Sequence, residues 1–286
     1  MTRRLLAALV TTLVSGTLVL AAGTIPAAAA PAQPAAADYT GIIKLSNCSG
    51  SLVRLPSSKD TDPALALTNG HCYEGGMPGP GEVIVNRASS RTMTLLGASG
   101  QSLGTLRAAK VAYATMTDTD VALYQLDSTY QAIASRLRGK ALEISDQHPA
   151  AGSGISVVSG YFTRTWTCNI DKFVYQLREG DWTWKDSIRY TSTCDTIHGT
   201  SGSPVVDNAT RKVVGVNNTG NDDGQRCTFN NPCEVDENGQ VYYKQGLTYG
   251  QQTFWFAGCV SEGNKVDLAK PGCVLPKPAR TAAAAA

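Results

Sequence analysis

The sequence is poor in the side chains that bind metal ions. It has only three histidines, and no two of its eight cysteines have the Cys-x2-4-Cys spacing of zinc sites. Two segments rich in Asn and Asp, at 221–224 and 236–239, could bind calcium, but neither has the EF-hand spacing and both are typical of turns. We therefore expect no metal and no cofactor.

The sequence also lacks an excess of charge of either sign. Arg3 and Arg4 are the only basic residues before Asp38, and no acidic residue precedes it. From Asp38 onward the chain therefore keeps 23 of its 25 basic side chains, against 23 acidic ones. Such a balance gives no attraction for nucleic acid or an anionic membrane, and we expect neither as a partner.

Long apolar runs are absent except at the N-terminus. Residues 1–30 combine a basic start, an apolar stretch over Leu5–Leu20 and a run of small residues, which predicts a signal peptide. The stretch is short and has no flanking anchor, so a membrane-spanning helix is the weaker interpretation. Residues 31–39 are predicted to be a short linker or pro-segment, with the cleavage point left open. The expected location is secreted, outside the cell.

All eight cysteines follow this leader. An even number of cysteines in an exported chain predicts disulfides rather than free thiols, although the sequence alone does not choose among the pairings. Proximity along the chain makes Cys227–Cys233 and Cys259–Cys273 plausible.

The rest of the sequence reads as short strands separated by Gly, Pro, Ser and Asn, which is typical of β-barrels and sandwiches. One helical segment, Ser128–Lys140, has apolar residues at helical spacing. The predicted strands are 41–45, 51–55, 64–67, 82–86, 92–96, 106–113, 121–126, 155–161, 172–177, 187–191, 203–206, 212–217 and 240–244.

Three motifs carry the chemistry: Leu67-Thr68-Asn69-Gly70-His71-Cys72, Asp118-Thr119-Asp120-Val121-Ala122-Leu123 and Gly199-Thr200-Ser201-Gly202-Ser203-Pro204. They place a histidine, an aspartate and a serine in that chain order, and a serine hydroxyl needs such a base to become a nucleophile. In order and local context the motifs resemble the chymotrypsin-fold, or trypsin-like, serine proteases of the secreted bacterial type. The resemblance covers roughly residues 40 to 260.

The resemblance implies an all-β fold of two six-stranded antiparallel β-barrels, with the active site in the cleft between them. It also implies a disulfide between Cys48 and Cys72, which leaves Cys168 to pair with Cys194. The implied division is an N-terminal barrel at 40–137 with His71 and Asp120, a linker at 138–152, and a C-terminal barrel at 153–275 with Ser201. The segment 276–286 ends in an alanine run with few anchoring residues, which predicts a disordered tail.

The same resemblance implies the catalytic roles. Ser201 is the expected nucleophile, His71 the base that takes its proton, and Asp120 the carboxylate that orients the imidazole. The backbone N–H groups of Gly199 and Ser201 are expected to form the oxyanion hole.

Two of these assignments have rivals. Asp118 lies in a polar stretch and reads as a solvated turn residue, whereas Asp120 adjoins the apolar segment 121–123. Ser203 is the alternative to Ser201 as nucleophile. Thr200 occupies the position where many trypsin-like enzymes have an aspartate that pairs with a new N-terminus, so that route of activation is not expected here.

Substrate specificity is predicted from three places. Asp195 stands six residues before the nucleophile, the offset at which trypsin-like enzymes bind Arg or Lys side chains, which favours basic residues before the scissile bond. His198 could line the cleft. The segment Asn218-Thr219-Gly220 is expected to form one wall of the primary pocket and to pair with the substrate backbone as an added strand.

Two other function classes compete with a peptidase. A non-catalytic binding protein could use the same fold, although an intact set of His, Asp and Ser argues against it. An esterase on an α/β-hydrolase fold requires the reverse residue order, a glycine in place of Ser203 and βαβ periodicity. The prediction is therefore a secreted serine endopeptidase that acts on polypeptides as a monomer.

Overall fold

The computed structural model describes residues 37–279. The predicted signal peptide, most of the predicted linker at 31–39 and the last residues of the predicted tail lie outside this range. Pro276, at the start of that tail, accepts a hydrogen bond from the Tyr113 hydroxyl at 3.0 Å.

The first half of the described chain forms one sheet. Six of its strands close into an antiparallel ring in the order β1, β5, β6, β7, β3, β2, because β1 also pairs with β2. Strand β4 pairs with β6 outside this ring, and β8 adds to β2 in parallel. The strands are β1 (Ile42–Lys44), β2 (Ser49–Arg54), β3 (Pro63–Thr68), β4 (Val83–Ala88), β5 (Thr92–Leu96), β6 (Ser102–Thr115), β7 (Val121–Thr129) and β8 (Leu142–Glu143).

The second half forms another sheet with its own six-membered ring, in the order β9, β10, β11, β16, β13, β12. Strands β14 and β15 extend it from β10. The strands are β9 (Gly154–Ser159), β10 (Arg164–Glu179), β11 (Trp182–Tyr190), β12 (Pro204–Asp207), β13 (Val213–Gly220), β14 (Cys233–Val235), β15 (Val241–Tyr242) and β16 (Thr248–Gln252). The prediction of an all-β fold with two six-stranded rings is confirmed, with extra strands on each ring.

Helices are few in the described range. Helix α1 (Tyr130–Leu137) follows the first ring; the Thr129 hydroxyl caps its first turn, and Arg138 ends it in a left-handed conformation. Helix α2 (Trp255–Cys259) leads into a small hairpin of β17 (Val260–Ser261) and β18 (Lys265–Val266). Neither helix is long and apolar enough to cross a membrane.

Strand β3 shows how the two rings are held together. Ala64 and Ala66 contribute to the core of the first ring, while Leu65 and Leu67, on its other face, belong to a second core. That second core includes Val213 and Val216 of the second ring, together with apolar residues of the C-terminal segment. Because successive side chains of a strand point to opposite faces, one short apolar strand serves both cores.

The hairpin of β10 and β11 is longer than the sequence predicts and reaches the first sheet. The indole of Trp184 donates to the Met116 carbonyl at 3.0 Å, and that of Trp182 donates to the Pro78 carbonyl at 3.0 Å. The prediction also missed β14 and β16. Strand β16 is fully buried, but its sequence Thr-Tyr-Gly-Gln-Gln has no apolar alternation that would mark it as a strand.

All eight cysteines are paired, as predicted, and all lie within the described range. The bonds are Cys48–Cys72, Cys168–Cys194, Cys227–Cys233 and Cys259–Cys273.

We predict that Leu65→Ala lowers the free energy of unfolding by about 2–5 kcal/mol, because it opens a cavity between the rings at a fully buried position. Urea unfolding with the disulfides intact measures this. The control is Val274→Ala, at a residue that is 63% exposed, which should change the value by no more than about 0.5 kcal/mol. Equal effects of the two substitutions would contradict the role given to this core.

Candidate active site

The three motifs meet at one cavity of about 310 Å³, lined by His71, Asp120 and Ser201 among others. His71 lies in a single helical turn, Gly70–Cys72, directly after β3. Asp120 directly precedes β7, the strand that pairs with β3. Ser201 lies in the turn before β12 of the second ring.

His71 and Asp120 are joined by two contacts. Nδ1 of the imidazole lies 2.7 Å from Oδ2 of the carboxylate, and the backbone N–H of His71 donates to Oδ1 at 3.0 Å. Asp120 is completely buried, while the His71 side chain is 22% exposed. We assign the Nδ1 proton to this contact, which leaves Nε2 as an acceptor.

Gly70 permits this close approach. A Cβ at this position would lie 2.1 Å from the Thr115 carbonyl oxygen and 2.9 Å from Oδ1 of Asp120. Any larger side chain would therefore push the histidine turn away from the carboxylate.

Two opposing effects act on the His71 imidazole. Burial, the largest single effect, disfavours its charged form, but the charge and the hydrogen bond of Asp120, together with a smaller contribution from Glu179, outweigh it. The net result is that the pKa of His71 is raised above its ordinary value. Such a base holds a proton more readily once it has accepted one.

The loop around Ser201 depends on glycines in the left-handed region. The Thr200 N–H donates to the Ile197 carbonyl at 3.1 Å, and Gly199, at the third position of this turn, has φ +88°. That combination is typical of a type II turn. Gly202, with φ +77°, has no room for a side chain, because a Cβ would lie 2.1 Å from the Ser49 carbonyl oxygen.

This turn leaves two amides available. Among the hydrogen bonds of the described residues, neither the N–H of Gly199 nor that of Ser201 has an acceptor. The Ser201 hydroxyl donates to the Asn218 carbonyl at 3.4 Å. Paired backbone donors of this kind can bind an oxyanion.

Asn69 is a residue of the site that the sequence analysis missed. Its side chain is fully buried, donates through Nδ2 to the Asp120 carbonyl at 2.8 Å and accepts from the N–H of Gly202 through Oδ1. It therefore connects the aspartate of the first ring with the serine loop of the second. The signal was an amide two residues before the histidine, since an amide can donate through Nδ2 and accept through Oδ1 at the same time.

The rival residues lie differently. Asp118 pairs with Lys185, at 2.9 Å between Oδ2 and Nζ, and its side chain is 42% exposed. Ser203 is completely buried, and its hydroxyl has no hydrogen-bond partner among residues 37–279. Thr200 is also buried and accepts a hydrogen bond from the Asn217 side chain at 3.0 Å. This contact is between neutral groups, at the position where many trypsin-like enzymes have an aspartate.

Of the residues expected to set specificity, Asn218, Thr219, Gly220 and His198 line the cavity. The structure does not bring Asp195 there: it is exposed and is not part of the lining. The preceding Cys194 is buried by its disulfide, and the chain turns the next side chain outward. His198 hydrogen-bonds through Nε2 to Asp222 at the rim.

Glu179 is a second residue that the sequence analysis missed. It ends β10, is 5% exposed and lines the cavity. Its carboxylate accepts from the Thr219 hydroxyl at 2.6 Å and from the Asn230 N–H at 2.9 Å, and burial raises its pKa. The sequence held no signal for it, because a glutamate before Gly-Asp looks like a solvated turn residue.

Metal binding has one geometric candidate in the described range, formed by Cys48, His71 and Cys72. The two sulfurs are joined in a disulfide, so neither can act as a thiolate ligand.

The model of the trypsin-like peptidase domain family matches residues 48–216, more than half of the chain, and this span contains all three motifs. The chain belongs to the trypsin-like peptidase domain family. It is a serine-type endopeptidase of the chymotrypsin fold. No curated protein matches the sequence.

Several solved peptidase structures are similar to it. The active form of the Rv3671c protease from M. tuberculosis is 16% identical, with a TM-score of 0.47, over 84% of this chain and 84% of that one. The MamO protease domain from Magnetospirillum magneticum is 13% identical, with a TM-score of 0.46, over 76% of this chain and 94% of that one. The protease Anisep from Arthrobacter nicotinovorans is 16% identical, with a TM-score of 0.43, over 76% and 90%. Similarity at this level carries no information on substrate or mechanism.

We predict that His71 titrates above its ordinary pKa of about 6.5 and that Asp120→Asn lowers that pKa, because burial then acts without the compensating charge. Stability from this pair is fully present below about pH 6.5 and is lost as the pH rises through the native pKa of His71. NMR titration of the imidazole signals measures both, with His148→Gln and His198→Gln used for assignment. A His71 pKa at or below the ordinary value in the unsubstituted peptidase would contradict the pairing.

We also predict that Asn69→Ala lowers the free energy of unfolding by about 2 kcal/mol and slows acylation of Ser201. It removes the donor to the buried Asp120 carbonyl and one of the two acceptors of the Gly202 N–H, which keeps the Asn217 carbonyl at 3.0 Å, and the serine loop loses its connection to Asp120. Urea unfolding and the rate of labelling by a fluorophosphonate measure the two effects. Asn238→Ala, at an exposed turn, is the control and should change neither. Unchanged labelling in Asn69→Ala would show that this bridge does not position the serine.

Proposed function

We propose that the chain is a secreted serine endopeptidase that cleaves polypeptides through an acyl-enzyme, with Ser201, His71 and Asp120 as its catalytic residues. The observation that carries the proposal is the 2.7 Å contact of His71 with the buried Asp120, in the same cavity as a serine held on a glycine turn. Each component matches a chemical need of the reaction.

In the first step the Ser201 hydroxyl attacks the carbonyl carbon of the scissile bond, and Nε2 of His71 accepts its proton. Asp120 holds the Nδ1 proton and stabilises the imidazolium that forms. The carbonyl oxygen becomes negatively charged and is bound by the N–H groups of Gly199 and Ser201, each worth roughly 3 kcal/mol in the transition state.

In the second step His71 returns the proton to the leaving amine as the C–N bond breaks, and Ser201 holds the acyl group as an ester. Water then attacks this ester with His71 again as base, which frees the acid and restores the serine.

The free edge of β13 supports binding of an extended substrate. Strand β12 pairs with β13 only as far as Val216, whereas Asn218-Thr219-Gly220 continue beyond it with β16 on the other side alone. A peptide could add to this edge as a further strand.

Asp195 does not support the expected preference for basic residues, because its exposed side chain lies away from the cavity. The signal-like N-terminus and the four disulfides support secretion. One chain carries every residue named in the mechanism, so a monomer suffices.

Labelling with a serine-directed fluorophosphonate tests the proposal. We expect one label per molecule at Ser201, no label in Ser201→Ala or His71→Ala, and a fall in kcat for peptide hydrolysis of roughly 10⁴-fold or more in both variants. Ser203→Ala is the matched control and should still be labelled. A label on Ser203, or none on folded, disulfide-bonded protein, would contradict the proposed mechanism.

A further inference from the structure

Glu179 is a buried carboxylate in the active-site cavity that the proposed mechanism does not use. It comes from the tip of the β10–β11 hairpin and is 5% exposed. Among the ion pairs of the described residues, none involves Glu179. A buried acid without an ion-pair partner is costly for a fold to keep, so its neighbourhood merits a functional explanation.

The two hydrogen bonds of Glu179 leave part of its acceptor capacity unused. The Thr219 hydroxyl bonds to Oε2 and the Asn230 N–H bonds to Oε1. A carboxylate has roughly four acceptor positions, so a cationic donor entering from the cavity can still bind. Such a donor would also supply the missing positive charge.

The walls around Glu179 suit a long cationic side chain. The cavity that Glu179 lines also has aromatic and thioether groups in its wall. Such apolar groups can pack against the stem of Lys or Arg, and aromatic faces attract its charged end. These residues are Met77, Met116, Trp182, Trp184 and Phe229.

The position of Glu179 relative to Ser201 indicates which substrate residue it meets. The Ser201 hydroxyl contacts the carbonyl of Asn218, whereas Glu179 contacts the side chain of Thr219, one residue further along the free edge of β13. In a peptide paired with this edge, the residue before the scissile bond lies beside Asn218. The residues that precede it in the peptide then lie beside Thr219 and Gly220. Glu179 therefore faces residues upstream of the one held beside Ser201.

We propose that Glu179 is a specificity-determining residue that binds a Lys or Arg side chain at the second to fourth position before the scissile bond. This inference rests on the proposed peptidase mechanism and names its substrate class. The role of binding a basic side chain is thus assigned to Glu179 at the end of β10 instead of Asp195. The side chain that it binds lies further from the scissile bond than the one expected for Asp195.

A purely structural role for Glu179 can be separated from this one. The hairpin tip is also tied to the neighbouring loop by the Gly180 N–H, which donates to the Cys227 carbonyl at 3.0 Å. In Glu179→Gln the amide keeps the shape of the side chain and can accept from Asn230, while the Thr219 hydroxyl can rotate to accept from its N–H group. The substitution removes the charge and leaves the connections.

The test compares kcat/KM for peptides that carry Lys, Arg, norleucine or Gln at each of the second, third and fourth positions before the scissile bond. We expect unsubstituted enzyme to prefer Lys or Arg over norleucine by roughly 10- to 100-fold at one of these positions. Glu179→Gln should reduce that ratio to about one. Asp181→Asn removes an exposed charge two residues away and should keep the ratio.

The outcomes distinguish this inference from the proposed function. Labelling of Ser201 by a fluorophosphonate is measured in every variant. Three results would overturn the role of Glu179 alone. Unsubstituted enzyme could be labelled and hydrolyse peptides without preferring Lys or Arg. The preference could survive Glu179→Gln, or it could be lost equally in Asp181→Asn. Absence of both labelling and hydrolysis in folded protein would overturn the proposed function, and this inference with it.

Discussion

The carboxylate of Asp120 is completely buried, and the local structure of the site follows from the partners that it needs. A charge without water requires hydrogen-bond donors, and here the backbone and the imidazole of His71 supply them. For both donors to reach it, the histidine must leave β3 in a tight turn at Gly70, where a Cβ would collide with Thr115 and with the carboxylate itself. The orientation of the base is thus a consequence of satisfying the buried acid.

The serine lies on the other ring, so its alignment depends on how the rings are joined. Leu65 and Leu67 of β3 belong to one buried core with Val213 and Val216 of β13, and the chain reaches His71 directly after β3. Asn69 adds a polar connection at the cavity itself, between Asp120 and the amide of Gly202. Nonpolar packing therefore joins the halves. The serine loop is aligned by the Asn69 amide together with the Ser49 N–H of β2, which donates to the Ser201 carbonyl at 2.8 Å.

The sequence was most informative where chemistry demands particular residue types. The fold class and the presence of disulfides were predictable, because strand-like segments and an even cysteine count are local signals, whereas the Cys48–Cys72 pair came from the family resemblance. Glu179 was not predictable, since its burial results from a hairpin that crosses to the first sheet, and no local pattern encodes that contact. For Asp195 a local signal was present but misleading. Its spacing from Ser201 predicted a place in the substrate pocket, whereas its side chain is exposed to solvent beside the buried Cys194. Strand β16 escaped prediction because its buried residues include polar side chains that bond to neighbouring elements rather than an apolar row.

The central claim is that groups from two rings act as one catalytic unit, and a double-mutant comparison tests it most directly. The measurement is kcat for hydrolysis of one peptide by Ser201→Ala, by His71→Ala and by the variant that carries both substitutions. Residues that act as a unit lose their effect together, so the account predicts that the double variant is about as slow as the slower single variant. A double variant whose loss equals the product of the two single losses would show that His71 and Ser201 work independently, and would contradict the account.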